Sequence, residues 1–72
     1  MTIQQALNIL ALVKSIPQID TVILGYGKSF IRDMNHNISE AMYAFDMDGK
    51  FELADELAGY EAIWTDAFMA TH

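Results

Sequence analysis

The sequence predicts an α+β domain with the element order helix, strand, strand, helix, helix (α-β-β-α-α). Three observations carry that prediction. Apolar residues recur at helical spacing from Ile3 to Val13. A β-branched run from Ile19 to Leu24, the Gly25-Tyr26-Gly27-Lys28 turn and the segment Ser29 to Met34 together read as a hairpin. Asn37 to His72 then reads as two helices joined at Asp48-Gly49.

The first helix is signalled by Thr2 as N-cap, with Gln5 at the capping-box position. Ile3, Ala6, Leu7, Leu10 and Val13 form its stripe, and Ile9 and Leu12 widen it. A helix apolar over so much of its circumference is either well buried or shares a second interface. Ser15-Ile16-Pro17 ends it, because the residue before proline is pushed out of the α region. The hairpin expected next has Phe30 and Ile31 as the apolar members of its second strand. A lone hairpin is marginal in water, so it has to pack on the helices.

The third element starts at Asn37, a plausible N-cap with Glu40 three residues on. Ile38, Ala41, Met42 and Phe45 share one face, and Gly49 is a natural stop because it tolerates positive φ. Asp48-Gly49 is also a type I′ hairpin signal, with Tyr43, Phe45 and Met47 alternating before it. The capping signal and the long helix that follows favour two helices. In that last helix Leu53, Leu57, Tyr60, Trp64, Ala67 and Phe68 fall on one face, with Ala54 and Ile63 at its margins. Asp55, Gly59, Ala62 and Asp66 fall opposite, with Glu52 beside them, while Glu56 and Glu61 flank the stripe. Tyr60, Trp64 and Phe68 are expected in the core. Phe51 and Met69 lie off the stripe and are candidates for a second contact surface or a dimer interface.

A chain of 72 residues makes a single domain, 1–72, with a limited core. At 53 % hydrophobic it has more apolar side chain than so small a globule easily hides, which favours a partner interface or a homodimer. There is no cysteine, so no disulfide or thiolate metal site supports the fold. Thr2 to Gln5 is polar with no basic segment before the apolar run, and Ile9 to Val13 is too short to span a bilayer. A cytoplasmic protein is expected. The Asn37-Ile38-Ser39 glycosylation pattern is therefore read as chance.

Charge is distributed unevenly. Residues 1–32 hold Lys14, Lys28 and Arg32 against Asp20, net +2, whereas residues 33–72 hold nine acids against Lys50, net −8. That balance argues against direct binding of nucleic acid or an anionic membrane, and favours either a protein partner with a basic surface or plain solubility.

Signs of catalysis are weak. Gly27-Lys28-Ser29 is the end of a phosphate-binding loop, but the glycine required five positions earlier is Val22. Asp46, Asp48, Glu52 and Asp55 fit positions three, five, nine and twelve of a calcium loop with Gly49 at position six, yet position one is Ala44. An acidic interhelical turn is the simpler reading, and no metal or cofactor is expected. His36 and His72 have no partner at ligand spacing and are expected at the surface. Acid–base work by Asp46/Asp48 or Asp55/Glu56 needs a desolvated cleft that a chain this short rarely builds.

The expected function is therefore a noncatalytic binding protein. Carboxylates along a helical edge can imitate duplex phosphates, so the acidic half can occupy the basic groove of a nucleic-acid-binding protein. In size and charge the chain is similar to small acidic inhibitors carried by phages and mobile elements, including some anti-CRISPR and antirestriction proteins, although no motif matches those families. The residues expected to carry binding are Asp46, Asp48, Glu52, Asp55, Glu56 and Asp66. The alternative is a self-associating structural or regulatory module that dimerises through surplus apolar helix surface.

Overall fold

Thr2 caps the first helix with its own hydroxyl. In the computed structural model, which describes residues 1–71, its Oγ1 accepts from the Gln5 N–H at 3.1 Å and Gln5 Oε1 accepts from the Thr2 N–H at 2.8 Å. The helix, α1, spans Ile3–Ser15 and buries Ala6, Leu10 and Val13. Ile16 leaves it in an extended conformation ahead of Pro17. Three further helices follow: α2 (Asp20–Leu24), α3 (Lys28–Met47) and α4 (Phe51–Ala70). Among the described residues there is no strand.

The α+β expectation is therefore wrong, and the hairpin is where it fails. Ile19 is extended, but Asp20 to Leu24 turns helical, with Ile23 as its one buried residue. A strand there would set Thr21 beside Ile19 and Ile23 on one face; Thr21 and Ile19 are both exposed. The second expected strand, Ser29 to Met34, is the start of α3, and Asn37 is not a cap but lies in mid-helix. The physical reason is a single apolar run. Ile31, Met34, Ile38, Ala41 and Phe45 are all buried and follow one another at 3, 4, 3 and 4 residues. That is one continuous helical face. Cutting the chain at Asn37 divided it in two.

The α3–α4 connection is a helix stop at Gly49, with φ +74. The Lys50 N–H donates to the Phe45 carbonyl at 2.8 Å and the Gly49 N–H to the Asp46 carbonyl at 3.1 Å, the paired bonds of a Schellman motif. The two long helices run antiparallel: Asn35 meets Trp64 and Thr65, and Ser39 meets Glu61. α1 packs along α3 with its first residues beside Ala44–Asp48. α2 closes the far end against α3 and α4. The result is an elongated body, 35 × 18 × 16 Å.

Trp64, Phe45, Ile31, Ile38, Leu57, Ile23 and Val13 are fully buried. Tyr60 and Phe68, expected in the core with Trp64, are half-buried. One polar side chain ties the core to the chain crossing from α1 to α2. Gln18 accepts from Trp64 Nε1 at 3.2 Å through Oε1. Its Nε2 donates to the carbonyls of Val13 at 2.9 Å and Ile16 at 2.6 Å. It thereby satisfies a buried indole and ties it to the C-terminal end of α1, where the Val13 carbonyl also accepts from the Ile16 N–H at 3.2 Å.

Gly27 and Gly59 make a matched test of backbone against space, since a Cβ at either would meet nothing within 4 Å. Gly27 has φ +88 and ψ 160 as it turns the chain into α3. That region is essentially reserved for glycine, so Gly27→Ala is expected to destabilise by about 1–3 kcal/mol. Gly59 lies inside α4 with no such strain. Gly59→Ala is expected to stabilise by about 1 kcal/mol. Urea denaturation of the two variants should move the midpoint in opposite directions.

Candidate functional site: an acidic surface at the α3–α4 turn

All six residues expected to bind a partner are exposed, but the fold does not bring all six together. Asp46 and Asp48 sit at the C-terminus of α3, and Glu52 is in the first turn of α4 with Asp55 one turn on. These four surround the interhelical turn. Asp66 is eleven residues beyond Asp55, about 16 Å along the helix. The exposed residues between them are Glu56, Ala58, Gly59, Ala62 and Thr65, and the one carboxylate of these, Glu56, is paired with Lys14 on α1. The series of carboxylates is therefore too broken to copy a duplex over the length of α4. Only at its turn end do four exposed acids, Asp46, Asp48, Glu52 and Asp55, surround one connection.

Glu56 is paired within the chain. Its Oε1 is 3.0 Å from Lys14 Nζ, so it faces α1. Hydrogen bonding to Glu56, and then its charge, hold the Lys14 ammonium above a lysine's ordinary value. Both ends of this pair are exposed, so it adds little to stability. What it adds is present through neutral pH and is lost only as pH rises past the ordinary lysine range. Asp48 is half-committed as well, at 3.2 Å from Lys50 Nζ. Among the described residues, Asp46, Glu52, Asp55 and Asp66 have no cation within ion-pair distance.

Asp46 is where local structure and charge disagree. The C-terminus of a helix carries partial negative charge and favours cations. The last turn of α3 has no basic residue and instead carries Asp46, with Asp48 at the cap. Asp46→Lys is expected to stabilise the fold by about 1 kcal/mol, a rise in Tm of about 4–8 °C. A thermal melt by circular dichroism checks it.

The turn is not built as a cation site. The calcium-loop alignment needs a loop from Ala44 onward, but Ala44–Met47 is helical. Among the described residues no group of three or more His, Asp or Glu side chains could hold a metal ion. Gly27-Lys28-Ser29 is not a hairpin turn but opens α3, with the Lys28 ammonium 5.4 Å from the Phe68 ring centroid. His36 is exposed, 3.1 Å from Glu40 one turn on; His72 lies outside the described residues.

Sequence reasoning did not find an open groove of about 760 Å³ where α1 begins against α3, lined by Met1, Ile3, His36, Glu40, Tyr43 and Met47. Its signal was present, since Tyr43 and Met47 lie one turn apart and off the buried face. Among the described residues, no helix is long and apolar enough to cross a membrane. Comparison with protein-family models, with curated proteins and with solved structures finds no match.

Proposed function

We propose that this is a noncatalytic binding protein that engages a basic, nucleic-acid-binding surface of a target protein in the cytoplasm. Asp46, Asp48, Glu52 and Asp55 are the residues that make the contact. The observation that supports this most is the placement of Asp46 and Asp48 against the α3 dipole, with no basic residue in that turn. Folding alone favours a cation there. Acids kept at a site where they weaken the helix are explained by a use outside the fold. The open pairing of Asp46, Glu52 and Asp55 agrees, because their charge is not spent within the chain.

The test is competition. A target captured from the native host's lysate at low salt is mixed with its nucleic acid and titrated with this protein. Displacement of the nucleic acid supports the reading. A captured target that binds this protein and its nucleic acid together, without competition, refutes occupation of the basic surface.

A homodimer is the second reading, and Leu7 and Leu12, exposed on α1, are what favours it. Light scattering at micromolar concentration decides it: a dimer through α1 should be lost in Leu12→Glu, and a clean wild-type monomer removes the reading.

A further inference from the structure

We propose that the outward face of α4 is a docking seam for one helix of the basic partner, and that the seam's own carboxylates keep a second copy of this chain off it. This rests on the binding reading above and specifies the form in which the partner meets α4. Phe51, Asp55, Ala58, Ala62, Thr65 and Met69 are all exposed and follow one another at 4, 3, 4, 3 and 4 residues. That is the spacing at which side chains of two helices interlock. Of the residues α4 buries, Leu57, Trp64 and Ala67 lie on its other side, while Ala54 borders the seam about 60° from its centre. The seam is large at its ends, with Phe51 63 % and Met69 73 % exposed, and small at its middle, where Ala58 and Ala62 allow two helix axes to cross closely.

The seam is also symmetric, and this decides between occupants. Laid antiparallel on a second copy, Phe51 meets Met69, Ala58 meets Ala62 and Asp55 meets Thr65. By shape, a second copy fits. By charge it does not. The same operation puts the acidic flanks of both copies on one side, so that Asp55 of one copy comes beside Asp66 of the other. Thr65 cannot relieve Asp55, because its hydroxyl proton already goes to Asn35 Oδ1 at 3.2 Å. A parallel pair sets the two Asp55 side chains in one layer. No cation of the chain reaches Asp55 or Asp66 among the described residues. A helix with the same apolar spacing, but Lys or Arg where a second copy has Asp, satisfies shape and charge together. Shape thus admits a family of helices, and like charge rejects the copy.

A charge-reversed copy of the full chain, Asp55→Lys with Asp66→Lys, is that partner in testable form. It keeps the seam and places each introduced ammonium against a native carboxylate. Sedimentation of its mixture with wild type at low salt is expected to show a one-to-one pair at least tenfold tighter than self-association of either chain. Added salt should weaken the pair, and Ala62→Gln in the wild-type chain should weaken it at least tenfold. A mixture no more associated than its folded components overturns the inference. So does a pair indifferent to Ala62→Gln, since attraction without the seam is charge alone. If circular dichroism shows that the reversed chain does not fold, Asp55→Asn with Asp66→Asn decides: it should self-associate where wild type does not, and a monomer overturns the inference. Failure in any of these leaves the competition test at the turn acids standing on its own.

Discussion

Trp64→Ala is expected to remove a large share of the chain's folding stability, about 3–5 kcal/mol, and to move its urea midpoint far below that of the wild type. Trp64 is fully buried and is the largest side chain in the core. Its ring also meets Phe30, 6.1 Å between centroids, beside the Tyr26–Phe30 stack at 4.6 Å. Truncating such a residue costs about 3–5 kcal/mol, from lost burial and from the cavity left behind. At roughly 0.05–0.15 kcal/mol per residue, a domain of this size has about 4–11 kcal/mol in total. The indole deletion also strands Gln18, whose amide then holds the Val13 and Ile16 carbonyls with no anchor on α4. A urea titration followed by circular dichroism checks this, with Ile63→Ala, a half-buried residue of the same helix, as the milder comparison.

The second large effect is on binding. Reversing Glu52, Asp55 and Asp66 to lysine takes the net charge from −6 to zero. All three are exposed and unpaired among the described residues, so the fold is expected to survive. Glu52→Lys alone costs about 0.3–1 kcal/mol, because it places a cation at the N-terminus of α4. Binding should fall far more. Like charges set against a basic surface cost several kcal/mol, and about 1.4 kcal/mol is tenfold, so a loss of about 100-fold or more is expected. Isothermal titration against the captured target reads this directly, with a melt of the same sample to show that folding is intact.

The sequence was most legible where the signal is local. The Thr2–Gln5 box, the stop before Pro17 and the Gly49 turn each depend on a few neighbouring residues, and each is where it was expected. The hairpin failed because two local signals outweighed a longer one. Ile19 to Leu24 is β-branched but only one helical turn and a half long, too short for periodicity to choose between strand and helix. Asn37 with Glu40 imitates a cap, and it obscured the run from Ile31 to Phe45 that crosses it. Burial on one side of a 20-residue helix outweighs a capping preference of about 1 kcal/mol.

The candidate site was legible to the same degree. The exposure of Glu52, Asp55 and Asp66 followed from the apolar stripe of α4, because what lies opposite a buried face meets water. The loss of Glu56 to Lys14 could not be read, because it depends on how α1 crosses to α4, forty-two residues later in the chain. The gap between Asp55 and Asp66 was visible as spacing, but its meaning was not. Gly59 and Ala62 were already on the outward face of the wheel; the exposure of Ala58 beside Ala62 is what turns the gap into a seam of its own.

The salt dependence of affinity for the captured target is the most direct measurement of the central claim. For wild type, the logarithm of the affinity should fall steeply and linearly with the logarithm of salt concentration. For the chain with Glu52, Asp55 and Asp66 reversed, any remaining affinity should be weak and nearly flat. A wild-type affinity that stays level as salt is raised, or that is unchanged by the reversal, would contradict an acidic surface as the agent of binding.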